Sequence, residues 1–118
     1  MREQEIIDYC LAKNGAYIDF PFGKTPLCIK ICKKIAVQVY EGKITLKCEP
    51  SVGISYREKY PCTVVPGYHC PLVQKPYFNT VYLNGNVPDK ELLLMIDHAF
   101  LAVRKRLPKK SNELEILK

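Results

Sequence analysis

The 118-residue chain can bury roughly two-thirds of its unfolded surface in one core, and its 47% hydrophobic and 25% charged residues exclude the composition of a disordered chain. No run approaches the ~18 apolar residues of a membrane span, and the N-terminus MREQEIIDYC sets acids where a secretory leader would carry its apolar region, so a soluble, cytoplasmic protein with no membrane partner is expected. Eighteen Lys and Arg against twelve Asp and Glu leave a net charge of +6, which suits a polyanionic partner bound with release of counterions.

Ile6, Ile7, Cys10 and Leu11 share one face of a helix predicted from Arg2 to Lys13, and Asn14-Gly15 stops it. Asp19-Phe20-Pro21-Phe22-Gly23 follows as an ordered apolar connection, because the prolines at 21 and 26 forbid a helix and the aromatic rings must find a core or a groove. From Leu27 the period changes to two. Leu27, Ile29 and Ile31, then Ile35, Val37 and Val39, predict two antiparallel strands turning at Lys33-Lys34. A second turn at Glu41-Gly42-Lys43 leads to Ile44, Leu46 and Cys48 and completes a three-stranded meander. Glu49-Pro50-Ser51 opens a short helix that Pro61 ends near Tyr60. Two further strands are read at Thr63 to Cys70, interrupted by Pro66-Gly67, and at Tyr77 to Leu83. Pro88-Asp89 then starts a helix running to Leu107, with Leu92, Ile96, Phe100, Val103 and Leu107 on its core stripe. Leu94 and Leu101 form an opposite stripe, to be covered by another helix of the domain or by a partner subunit. The tail after Pro108 is read as a further helical turn or two. The expected core is Ile7, Leu11, Ile29, Ile31, Val37, Val39, Leu46, Val81, Leu92, Ile96, Phe100 and Val103. Without an export signal the six cysteines read as reduced thiols, mostly small core residues.

Asp19-Phe20-Pro21-Phe22-Gly23, Leu46-Lys47-Cys48-Glu49-Pro50, Pro66-Gly67-Tyr68-His69, Asn79 to Gly85, Ile96-Asp97-His98 and Leu107-Pro108-Lys109-Lys110 occur in an order and spacing that resemble the MmcQ/YjbR family of small bacterial proteins. The likeness runs over almost the whole chain. It implies one α+β domain over residues 1–118, with an antiparallel sheet (the meander plus two further strands) against N-terminal and long C-terminal helices, related to the frataxin-like CyaY shape. It also implies DNA binding through two projecting hairpins, a double wing. Two departures stand out: Cys32-Lys33-Lys34 occupies a hairpin turn where family members commonly carry glycines, and Phe78 stands where Trp is frequent.

Consecutive hairpin tips of a meander lie at opposite ends of a sheet, so Lys33 and Lys34 cannot share a footprint with Lys43. A crossover helix from Glu49 would return the loop from Pro71 to Pro76 to the Lys33 end, gathering Lys33, Lys34, Lys47 and Lys75 to contact phosphates, with Tyr77 available to stack on a base. The plainer reading is that these lysines are solvated and keep sheet edges from aggregating. Arg104, in the run Arg104-Lys105-Arg106 with Lys109-Lys110, serves either phosphate contact or the C-terminal end of the helix dipole. Phe20, Tyr68, His69 and Asn79 could converge on a small-ligand pocket, or Tyr68, Asn79 and Thr80 could knit loops to the sheet by hydrogen bonds.

No metal or cofactor is expected. His69-Cys70 with Cys62 has poor ligand spacing, no Cys-x-x-Cys pair occurs, and the first helix lacks an acidic ridge for iron. No enzyme is expected either, since Asp97 and His98 point about 100° apart on a helix and no nucleophile with an orienting base is legible. His98 reads as a hydrogen-bonded packing residue. The reading is therefore a monomeric DNA-binding protein with backbone-dominated contacts; the alternative is a non-enzymatic module for a protein partner or small ligand.

Overall fold

The computed structural model describes residues 1–68 and 70–105. Three helices lie against one face of an antiparallel sheet: α1 (Glu3–Leu11), α2 (Pro50–Lys59) and α3 (Asp89–Lys105). Among the described residues the sheet has six strands, β1 (Tyr17–Asp19), β2 (Leu27–Ile31), β3 (Lys34–Tyr40), β4 (Lys43–Lys47), β5 (Val64–Pro66) and β6 (Phe78–Tyr82), in the order β1-β2-β3-β4-β6-β5. This is the expected α+β architecture, with one strand more than the sequence suggested. None of the described helices is long and apolar enough to cross a membrane.

Strand register separates the two faces. Ile18, Ile29, Val37, Leu46 and Asn79 lie across from one another, as do Leu27, Val39, Ile44, Val81 and Val64, and these rows face the helices. α3 supplies Leu92, Met95, Ile96, Ala99, Phe100 and Val103 to the same core. The opposite face carries Asp19, Cys28, Gln38, Thr45, Thr80 and Val65 in one row, and Tyr40, Lys43 and Tyr82 in the next.

Two irregularities shape the first hairpin. Ile29 pairs with Val37 but Lys30 pairs with Ile35, so Ala36 is an extra, bulged residue that reverses the phase of β3. Ile35 thereby leaves the face of Val37 and Val39, where strict alternation put it, and joins Lys30 on the outer face. The turn is Cys32-Lys33, not Lys33-Lys34: Ile31 pairs with Lys34, and Cys32 and Lys33 both adopt positive φ, 51° and 66°. Two consecutive left-handed residues are the signature of a primed two-residue turn, built here without glycine.

Other expectations are corrected locally. The apolar connection from Asp19 is preceded by β1, which shares only Asp19 with it and whose three residues are too few to show a period. α1 turns Ile6 and Cys10 inward and leaves Ile7 half-buried and Leu11 38% exposed. Where a strand from Thr63 to Cys70 was expected, the described residues form only the short edge strand β5, because Gly67 crosses tightly over β6; a Cβ there would fall 2.8 Å from that of Phe78. No described element covers Leu94 and Leu101, which are 51% and 61% exposed. His69, Arg106, Leu107, Lys109, Lys110 and the rest of the tail lie outside the described residues. Burial pushes the thiols of Cys10 and Cys48 up to about 12 and about 11, so both stay protonated at neutral pH, as core packing requires.

Candidate functional site

The outer face is walled by two loops. Residues 20–26 lie over the β2 side, where the Cys28 thiol reaches the Pro26 carbonyl at 3.8 Å. Gly67, Tyr68 and residues 70–75 fold over β6, where the Tyr68 amide donates to the Thr80 hydroxyl at 2.7 Å and that hydroxyl lies 2.8 Å from Thr45 Oγ1. Both threonines are fully buried although they point away from the helices. The covered sheet therefore has a recessed floor between raised rims, and the rims carry exposed apolar side chains, Phe22 on one and Leu72 and Val73 on the other.

Two adjoining cavities occupy this recess. One, of about 640 Å³, lies at the Cys32-Lys33 turn, where it reaches round the end of the sheet to Val103 of α3, and is lined by Lys30, Lys33, Lys34 and Lys47 with Pro21, Phe22, Ile35, Gln74 and Phe78. The other, of about 910 Å³, extends along the outer face past Gln38 and Tyr40 to Lys43, Tyr68 and Cys70. Phe22, Ile35, Gln74 and Phe78 line both. The recess is thus one groove, lysine-rich at one end and tyrosine-rich at the other.

Charge along the groove is uneven. Lys30 is held by Asp19 at 2.7 Å, and that bond raises the Lys30 pKa and lowers that of Asp19. Lys33 and Lys34 make no ion pair among the described residues. Lys47 packs its ammonium 4.8 Å from the Phe78 ring centre and 5.3 Å from that of Tyr77. At the far end the Lys43 ammonium lies 3.4 Å from the centre of the Tyr68 ring, which meets Tyr40 edge to face at 5.4 Å. With Lys30 compensated by Asp19, the ammonium groups of Lys33, Lys34 and Lys47 set the charge of this cavity and attract an anion, most strongly where the walls limit water.

The sequence-derived sites are redistributed by this geometry. Lys33, Lys34 and Lys47 do converge, joined by Lys30. Lys75 lies on the adjacent exposed 3-10 turn (Lys75–Tyr77), one residue beyond Gln74. Tyr77 contacts Lys47 but lines neither cavity. Arg104 stands apart, donating to the Asn14 carbonyl at 3.3 Å near the end of α1. Of the pocket residues, Tyr68 lines the groove, whereas Phe20 does not and its neighbour Phe22 does. Asn79 is buried on the helix side, donating to the Gly53 carbonyl at 3.0 Å and accepting from Arg57. His69 lies outside the described residues. Lys30, Phe22, Ile35 and Gln74 were missed; only Phe22 left a trace in the sequence, as an aromatic ring in need of a groove.

The remaining candidates have structural partners. His98 Nε2 accepts the Glu49 amide at 3.0 Å, which ties α3 to the start of α2, and burial holds its pKa below the ordinary value. Asp97 receives Lys13 and the Tyr9 hydroxyl, both at 2.7 Å, and so joins α3 to α1. No group of three or more His, Cys, Asp or Glu among the described residues could hold a metal ion.

The YjbR family model matches residues 11–102. The Escherichia coli K12 "Uncharacterized protein YjbR" is 26% identical over 118 residues, 97% of each chain. Among solved structures, Deinococcus radiodurans DR2400, a DUF419 domain, superposes with a TM-score of 0.86 at 23% identity over 96% of this chain and 86% of its own. A Pseudomonas syringae protein gives 0.70 at 27% identity over 86% and 97%. The strand order, the helices on one face and the matched span together make this chain a member of the YjbR family.

Proposed function

We propose that the protein is a binding module for DNA, held mainly through the phosphate backbone, and not an enzyme. The observation that carries this reading is the meeting of Lys30, Lys33 and Lys34, from one hairpin, with Lys47, from β4, around one cavity in a chain of net charge +6. Ammonium groups in such a cluster are point charges that position a phosphate backbone without reading sequence. The turn itself favours the reading: two left-handed residues are strained unless they are glycine, yet the tip carries Lys33. A non-catalytic role is supported by the engagement of His98 Nε2 with a backbone amide and of Asp97 with Lys13 and Tyr9, which leaves neither as a ready base.

The test is lysine-modification footprinting with and without duplex DNA. Lys33, Lys34 and Lys47 should be protected by DNA, while Lys59 and Lys90, on α2 and α3, keep their reactivity. Uniform protection, or none at the groove, contradicts the proposal.

A further inference from the structure

We infer that the groove takes an unpaired DNA strand, with phosphates at the lysine end and a base inserted beside Phe22 and Phe78; this rests on the phosphate-binding reading of the lysines. The shape of the surface comes first. A duplex exposes base edges only inside its grooves, which are read by elements that project into them. The floor here is recessed between the loop 20–26 and the segment carrying Tyr68, Pro71 and Gln74, so paired bases cannot reach it, whereas a single strand can lie in it and turn its bases down.

The lining then identifies the ligand. Phe22, Ile35, Gln74 and Phe78 are common to both cavities and stand where the lysine-rich end passes into the aromatic one. Phe22 is 64% exposed, so its ring presents a face to the groove at little cost to the core. Flat apolar surface beside a cluster of cations is the pairing that binds single strands, since every base has a face to stack and every linkage a charge to neutralise. Gln74 supplies an amide that can both donate to and accept from a base edge. Lys43 lies four residues along β4 from Lys47, about 13 Å at strand spacing, and offers a second phosphate contact beyond the base, so the continuous groove gives it a footprint in common with Lys33 and Lys34 that opposite hairpin ends had been expected to forbid. Glu41 is the sole acid lining either cavity among the described residues and stands with Lys43 at the tyrosine end, so the positive charge of the groove is concentrated at its lysine end.

The experiment compares four probes with the intact chain: a labelled oligodeoxythymidine strand, the same strand made abasic, a duplex of equal length, and thymidine monophosphate. The single strand should bind on the order of tenfold more tightly than the abasic strand. Phe22→Ala should remove that advantage while leaving abasic and duplex affinities unchanged, and Phe22→Trp should restore it. Equal affinity for normal and abasic strands, or no effect of Phe22→Ala, overturns the inference yet leaves backbone binding intact if the duplex still binds through Lys33, Lys34 and Lys47. Thymidine monophosphate binding as tightly as the strand overturns it in favour of a small-ligand pocket. Failure of all four probes to bind overturns it together with the DNA reading.

Discussion

Position 33 separates the cost of the hairpin turn from the use of its charge. Lys33 sits at φ 66°, beside Cys32 at 51°, in a turn that joins strands without an intervening glycine. A residue with a Cβ is destabilised by about 1–2 kcal/mol in the left-handed region. Glycine avoids that cost but gives the unfolded chain extra freedom worth about 0.5–1 kcal/mol. Lys33→Gly should therefore be more stable than Lys33→Ala by about 0.5–1 kcal/mol, since the two differ only in that Cβ. Lys33 is exposed and makes no ion pair among the described residues, so removing the rest of its side chain should cost the fold little. Urea unfolding of both variants, with equal slopes, reads the difference as a shift in midpoint. Their affinities for DNA should fall alike, because each lacks the same cation. Coincident unfolding curves, or a more stable alanine variant, would show that residue 33 is not left-handed and that the strain argument is wrong.

Asn79→Ala should destabilise the fold by about 1–3 kcal/mol, measured by thermal or urea unfolding, because it leaves Arg57 and the buried Gly53 carbonyl unmatched. His98 has a folded pKa below its usual 6.5, so the unfolded chain takes up a proton first. Stability should then fall as the pH drops below about 6.5 toward the folded value, and His98→Gln, tested by melting across that range, should flatten this part of the profile. At Asp97 burial alone would raise the pKa, but the bonds from Lys13 and Tyr9 outweigh it and the net shift is downward. Its stabilisation is therefore present above the usual 3.8 and lost as the pH falls through the lower folded value; Asp97→Asn should cost about 1 kcal/mol at neutral pH, discounted for its partial exposure.

The meander and the long helix were legible because their signals repeat. Ile and Val at every second position leave no other way to bury one face, and Leu92, Ile96, Phe100 and Val103 recur at helical spacing over about three turns. The bulge was not legible. Ile35, Val37 and Val39 keep a perfect period of two in sequence, and only the pairing of Lys30 with Ile35 shows that Ala36 breaks it. The site turns on that break, since it carries Ile35 to the outer face, where it lines the groove. The lysine cluster was half legible: topology alone set Lys33, Lys34 and Lys47 at one end. The alternation already turned Lys30 away from Ile29 and Ile31, but neither it nor Phe22 could be placed in a site without knowing that the loop carrying Phe22 folds over that face. Asn79 carried two readings, a pocket residue or an internal hydrogen-bonder, and sequence could not choose between them because the partners, Gly53 and Arg57, come from α2 on the inner side.

The most direct test of the DNA reading is the salt dependence of duplex affinity for the native chain and for the triple variant Lys33→Ala, Lys34→Ala, Lys47→Ala. Each phosphate that the variant no longer neutralises should lower the slope of log affinity against log salt by about 0.9. The account predicts a steep slope for the native chain and one shallower by roughly two to three units for the variant. Identical slopes and affinities, or no binding by the native chain at low salt, would contradict it.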